Sequence, residues 1–315
     1  MDHIVALSRP LPLPEIPLTE GTLKFRPVTA TAEVPDGTRI YGCTALDPVD
    51  SKAIAALPDS VKLIANIGVG FDNIDLLAAA ARGIAVSNTP TVTEDTADLA
   101  FALILAACRR IGEGERFLRG GQWIDTHSAP PLGVRVHGQT LGLVGFGAIS
   151  KAVARRAKGF GMEILYTDLT RMRDTETEIG ARYVATLHEM LAQSDIVSIH
   201  TVLSPATRNL INAEALAAMR PGSVLVNAAR GGIVDEVALC DALERRHLAA
   251  AALDVFDGEP TVRASLLARN DVVLTPHIGS ATAACRTDMV QCFIGNVTAF
   301  LTKGQPLNPV PLPKP

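Results

Sequence analysis

Short apolar runs recur along this chain and alternate with longer stretches that mix apolar and charged positions. Runs of this length bounded by polar or glycine residues read as buried strands, and the mixed stretches read as helices with one face in a core. In the first block, Ile4–Leu7, Arg39–Cys43, Val61–Ile67 and Ile84–Ser87 are predicted strands. Helices are predicted at Val49–Ala56 and Asp75–Arg82, with Gly83 ending the second. Pro10–Pro17 is expected to be an exposed loop after the first strand.

Thr93-Glu94-Asp95 supplies a hydroxyl and then acids, good chemistry for a helix start. The helix it introduces, Thr96–Arg110, is apolar on nearly every side, as expected of a helix packed all round at a junction between two bodies. A second strand–helix alternation begins at Thr140–Val144. It continues through Glu163–Thr167, Ile196–Ile199, Ser223–Ala229, Ala250–Phe256 and Val272–Pro276, to about Ser280. A final helix, roughly Ala283–Thr302, is expected to return to the first body, and the Pro-rich tail Pro306–Pro315 to be extended. Strands alternating with helices imply α/β architecture with parallel sheets.

With 315 residues, 48% of them apolar and 20% charged, the chain has the composition of two ordinary globular domains. A net charge of −4 gives no support to a nucleic-acid or anionic-membrane partner. The densest basic cluster, Arg155-Arg156-Ala157-Lys158, is expected on the solvated face of a helix. The longest apolar stretch, Leu99–Cys108, is too short to span a bilayer, and the N-terminus does not look like a signal peptide. Cys43, Cys108, Cys240, Cys285 and Cys292 are dispersed without metal-like spacing, so no metal is expected and a reducing, cytoplasmic compartment fits.

Three runs of the second block lead into residues that can do chemistry. Ser223–Ala229 ends at Arg230, Ala250–Phe256 runs into Asp257-Gly258-Glu259, and Val272–Pro276 ends at His277. Ligands of open α/β sheets bind outside the carboxyl ends of the strands, so a cation, a carboxylate and an imidazole at three such ends look like an active site. His200, which ends another apolar run, is expected to be structural or to lie beside a cofactor.

Upstream, Thr140–Val144 runs into Gly145-Phe146-Gly147-Ala148-Ile149-Ser150. An apolar strand, two glycines and a helix make a pyrophosphate site, and serine at the third position is small enough to keep helix and strand close. The next strand ends in Asp168, where a carboxylate can accept from adenosine ribose hydroxyls. That carboxylate would repel a 2′-phosphate, so NAD is favoured over NADP, although Arg171 and Arg173 are near in sequence and guanidinium binds phosphate well.

With these segments in order, the chain resembles the D-isomer-specific 2-hydroxyacid dehydrogenases. The resemblance rests on 66-NIGVGFDNID-75, the glycine block, 227-NAARGGIVD-235, 252-ALDVF-256 with Glu259-Pro260, and 275-TPHIGS-280; Val202 departs from the proline usual in the family. It implies a Rossmann dinucleotide-binding domain at 95–283 and a flavodoxin-like α/β substrate domain built from 1–94 and 284–315. It also implies a catalytic set of Arg230, Glu259 and His277, and substrate binding by Val69, Gly70, Arg230 and His277. The cofactor would meet Gly145, Phe146, Gly147, Ala148, Ile149, Asp168, Thr96, Ala228 and Asp254.

The expected reaction is NAD(P)H-dependent reduction of a small 2-keto acid, glyoxylate or hydroxypyruvate, to the D-2-hydroxy acid. The expected assembly is a homodimer, with Phe101–Trp123 a plausible interface. Two alternatives stand beside this reading. A phosphoglycerate dehydrogenase-like enzyme would want more cations near 61–75, where only Lys62 stands, and a dinucleotide-sensing corepressor would be expected to carry long disordered flanks.

Overall fold

The computed structural model describes residues 2–19, 21–129 and 131–313. The chain forms two compact units, one from Met1–Val92 with Ala281–Pro315 and one from Thr93–Ser280.

The first unit is built on a six-stranded sheet of β1 (His3–Leu7), β2 (Ile16–Leu18), β3 (Gly21–Pro27), β4 (Ile40–Thr44), β5 (Leu63–Ile67) and β6 (Ala85–Ser87). Its order is β2-β3-β1-β4-β5-β6, and every pairing but β2 with β3 is parallel. Without β2 this is the flavodoxin-like order. Alternation along the strands separates two cores. Val5 and Leu7 of β1 pack with Phe293, Val297 and Phe300 of the helix Ala283–Lys303, whereas Ala6 packs with Tyr41, Ile54 and Ile64 on the other face. Helices α1 (Ser51–Ala56) and α2 (Leu76–Ala81) begin at Asp50 and Asp75, whose carboxylates accept from the N–H groups of Ala53 and Ala78.

The segment expected to be a loop from Pro10 to Pro17 is one only as far as Glu15, because Ile16–Leu18 forms the antiparallel edge strand, with Ile16 opposite Leu23. Strand β2 went unpredicted because a three-residue strand beside prolines has too few positions to show a period, and the seven-residue β3 also went unpredicted. In the tail, Val310 donates its N–H to the Val86 carbonyl, while Lys314 and Pro315 lie outside the described residues.

The second unit holds α3 (Thr93–Cys108), α4 (Ile111–Arg119), β7 (Thr140–Val144), α5 (Ala148–Gly159), β8 (Glu163–Thr167), α6 (Arg173–Ile179), β9 (Ala181–Tyr183), α7 (Leu187–Gln193) and β10 (Ile196–Ile199). It continues with α8 (Ala213–Ala218), β11 (Ser223–Asn227), α9 (Glu236–Glu244), β12 (Leu248–Leu253), α10 (Ala264–Leu267) and β13 (Val272–Leu274), before Ala283–Lys303, which is α11. The seven parallel strands are ordered β13-β12-β11-β10-β7-β8-β9, the doubly wound Rossmann order with one further strand. Ala250 and Ala252 of β12 face one core with α3 and α5, while Ala251 and Leu253 face the other. No helix among the described residues is long and apolar enough to cross a membrane.

The apolar helix expected at 96–110 starts at Thr93 and ends at Cys108, where Arg110 turns left-handed (φ 52°) and begins the unpredicted α4. The basic cluster on α5 is more than a solvated face. Arg155 pairs with Glu94, and Arg156 with Glu94 and Asp98, tying α5 to α3.

Candidate active site

The strand order of the second unit reverses between β7 and β10, and the loop leaving β7 sits at this switch point. Gly145 has φ 86°, and a Cβ there would stand 2.8 Å from the His200 carbonyl oxygen, so the position requires glycine on two counts. Gly147 caps α5 with no side-chain hydrogen bond, and a Cβ on it would meet open space. The first N–H groups of α5 are thus left for an external acceptor, the arrangement that binds a pyrophosphate. Ala148 is exposed, Ile149 half-buried, and Phe146 fully buried with its ring stacked 3.9 Å from Tyr166. Asp168 follows β8 and accepts the Phe146 N–H at 2.6 Å, so the carboxylate stands directly beside the glycine turn. These features fit a dinucleotide.

Arg230, Glu259 and His277 all lie in this unit, but in the loops beyond the strands and not at their last residues. The expected runs are too long: β11 stops at Asn227, β12 at Leu253 and β13 at Leu274. Side chains in the intervening segments grip the backbone and end each ladder. Asn227, fully buried, donates to the Arg230 carbonyl at 2.8 Å and accepts from the Ala229 N–H at 3.0 Å, folding Ala228 and Ala229 into a tight turn. Asp254, 1% exposed, accepts from Thr275 Oγ1 and from the N–H groups of Ile278 and Gly279 at 2.7–3.0 Å. Burial raises its carboxyl pKa, against the pull of these donors and of the His277 charge. Thr96 is buried beside Gly279 and Asp254.

His277 is left-handed (φ 53°), a conformation costing on the order of 1 kcal/mol for a non-glycine residue. Its N–H donates to the Asp254 carbonyl at 2.8 Å and to that of Thr275 at 3.1 Å, which holds it there. The ring Nδ1 lies 2.7 Å from Oε2 of Glu259, while Oε1 of Glu259 accepts the Phe256 N–H at 2.8 Å. Burial raises the Glu259 carboxyl, but the bonds from His277 and Phe256 and the charge of Arg230 outweigh it and hold the pKa below the usual carboxylate value. Arg230 donates from Nη1 to the Ala229 carbonyl at 2.7 Å. A cation, an ionised carboxylate and an imidazole therefore belong to one electrostatic cluster.

His200 is a separate case. Burial pushes its imidazole down to about 4, and Nε2 pairs with Ser198 Oγ at 2.8 Å, so near neutral pH it is an uncharged neighbour of the Gly145 turn.

In the first unit, Val69 and Gly70 follow β5 in a loop pinned through its carbonyls. Asn88 donates to the Val69 carbonyl at 2.8 Å, Asn66 to that of Gly70 at 2.7 Å, and the Gly68 N–H bonds Thr89. The N–H groups of Val69 and Gly70 have no protein acceptor among the described residues. The buried asparagines Asn66 and Asn227, which organise these two turns, were missed in the sequence. An amide at the end of an otherwise apolar run is the signal that marks both. No group of residues that could hold a metal ion occurs among the described residues.

The D-isomer specific 2-hydroxyacid dehydrogenase, NAD binding domain family matches residues 101–279. The glyoxylate reductase of Thermococcus litoralis is 46% identical over 264 residues, covering 82% of this chain and 79% of that protein. A solved glyoxylate reductase from Paecilomyes thermophila superposes with a TM-score of 0.88 at 35% identity, covering 98% of each chain. The NADPH-dependent glyoxylate/hydroxypyruvate reductase of Sinorhizobium meliloti, solved with NADP and malonate, gives 0.87 at 33% identity, covering 98% of this chain and 96% of that one. The chain belongs to the D-isomer-specific 2-hydroxyacid dehydrogenases, oxidoreductases that use a nicotinamide dinucleotide and act on small keto and hydroxy acids.

Proposed function

We propose that the protein reduces glyoxylate or hydroxypyruvate to the corresponding D-2-hydroxy acid, with Arg230, Glu259 and His277 as its catalytic residues. The observation that carries this reading is the 2.7 Å contact between His277 Nδ1 and Glu259 Oε2. A carboxylate bonded to Nδ1 fixes the ring and leaves Nε2 to present a proton. A bound reduced nicotinamide supplies the hydride. Negative charge then grows on the substrate carbonyl oxygen, and His277 donates its Nε2 proton there as general acid. Arg230 holds the substrate carboxylate and polarises the ketone with a planar fork of donors. The N–H groups of Val69 and Gly70, which have no protein acceptor among the described residues, are proposed as further donors to a substrate carboxylate. The names of the relatives from T. litoralis, P. thermophila and S. meliloti support a small 2-keto acid as substrate.

The cofactor residues in this reading are Gly145–Ile149, Asp168, Thr96, Ala228 and Asp254, in a nucleotide-binding domain corresponding to the second unit. NAD is favoured over NADP. Asp168 would repel a 2′-phosphate, and the nearby cation Arg171 is engaged by Glu176 through two bonds of 2.8 Å and stacks on Tyr183. Two copies are proposed to assemble through the segment Phe101–Trp123, which exposes Ile111, Leu118 and Trp123, since exposed apolar side chains can mark interaction sites. Five dispersed cysteines fit a reducing compartment such as the cytoplasm.

The test is a panel of 2-keto acids followed by NADH and NADPH absorbance. Turnover of glyoxylate or hydroxypyruvate, faster with NADH, is expected. Saturable dinucleotide binding without turnover of any keto acid would overturn the reading. Light scattering at micromolar concentration should give twice the monomer mass.

A further inference from the structure

Two contacts from outside the Glu259 loop converge on one of its peptides, that between Phe256 and Asp257, and a third reaches the Asp257 side chain. The Asp257 N–H donates to Oε1 of Glu236 at 2.8 Å. Gly231 backs so closely against the same peptide that a Cβ there would stand 1.9 Å from the Phe256 carbonyl carbon and 2.4 Å from the Asp257 nitrogen. Arg208, whose guanidinium covers Gly232, reaches the Asp257 carboxylate at 3.4 Å. Of the three, Glu236 is the buried polar one, 4% exposed, and its second oxygen takes Nε of Arg263 at 3.1 Å.

Such a carboxylate is expensive to bury, and the start of α9 does not need it, because Asp235 already caps that helix by accepting from Val237 and Ala238. What Glu236 holds instead is the loop. Glu259 itself is secured by the Phe256 N–H, within that loop, and by His277. Nothing in those two bonds sets the loop against the Arg230 turn; the Gly231 contact and the Glu236 bond do.

We propose that Glu236 is a positioning residue for the keto-acid reduction: by fixing the Asp257 peptide on the Arg230–Gly231 turn, it places the Glu259 carboxylate where it meets His277 and feels the charge of Arg230. This rests on the assignment of those three residues as the reacting set. The charged groups around the imidazole are then Glu259, Arg230 and the buried Asp254, and displacement of the Glu259 loop changes the balance among them.

Glu236→Met removes both acceptors while keeping the length and packing of the side chain, and Glu236→Gln keeps an acceptor for the Asp257 N–H. With Glu236→Met, kcat should fall about tenfold while the NADH dissociation constant stays within about twofold. The alkaline limb of the kcat/KM profile should move, because displacement of the Glu259 loop breaks the carboxylate–imidazole contact and alters the charges around the reacting pair. The downfield Nδ1 proton resonance of His277, read by NMR without cofactor, should be lost in Glu236→Met and kept in Glu236→Gln, which should also recover most of the rate. A Glu236→Met protein with lowered thermal stability but unchanged kcat and pH profile overturns the proposal. So does fast hydrogen exchange at the Asp257 amide in the wild-type protein, a measurement that needs no variant to fold. Glu259→Gln separates the two levels of the argument. If it leaves the alkaline limb in place, the assignment of Glu259 fails and the proposal with it; if it moves the limb and Glu236→Met does not, only the proposal fails.

Discussion

Glu259 and His277 are eighteen residues apart in sequence and 2.7 Å apart in space, each supplied by a loop that another buried acid organises. Glu236 holds the first loop and Asp254 the second. The pair is therefore set in place before any substrate arrives, the condition under which a general acid is effective.

Replacing His277 with Gln removes the titratable proton but leaves an amide of similar reach. kcat should fall by about 10²–10⁴-fold. NADH binding, followed by fluorescence, should change little; a rate loss under about tenfold would contradict the general-acid role.

Glu259 gives the pair a pH signature. Its folded pKa lies below the ordinary 4.5, so its contribution to stability is fully present above that value and is lost as pH falls through the depressed folded pKa. Melting temperatures of wild-type protein and Glu259→Gln should differ at pH 6–7 and converge on acidification below about pH 4. A constant gap down to pH 3 would mean that the carboxylate is not held by His277.

Arg230→Lys keeps the charge but replaces a planar fork by a point charge. Because the proposed contact with substrate uses two parallel donors, kcat/KM for the keto acid should fall by on the order of 10²-fold. Affinity for NADH should be unchanged, and a loss confined to NADH binding would move Arg230 from the substrate to the cofactor.

Asp168→Ser removes the charge proposed to exclude a 2′-phosphate, and also an acceptor of the Phe146 N–H. The ratio of NADPH to NADH affinity, measured by titration, should rise at least tenfold. A fixed ratio would show that the acid does not face the ribose.

Gly145→Ala tests the glycine turn by stability. A side chain at φ 86° and 2.8 Å from the His200 carbonyl should cost on the order of 1–3 kcal/mol, read from denaturant unfolding. Dinucleotide binding should be lost with it.

The pattern of apolar runs by itself determined most of the strands and their parallel α/β character, because a strand buried on both faces must be continuously apolar. β7, β8 and β10 are found at the residues predicted. It also marked Arg230, Glu259 and His277 as chemistry at the ends of three of those runs, although the strands themselves stop short of them. What it could not set is where a strand stops and what holds the residue that follows. Asn227, Asp254 and Glu236 do this by bonding to backbone twenty or more residues away or across a turn, and such partners have no spacing along the chain. The edge strand β2 was hidden for a related reason, since three residues show no period until β3 lies beside them. Local pattern follows from burial, which each residue experiences alone. The meeting of Glu259 with His277 depends on hydrogen bonds between segments that only the folded chain brings together.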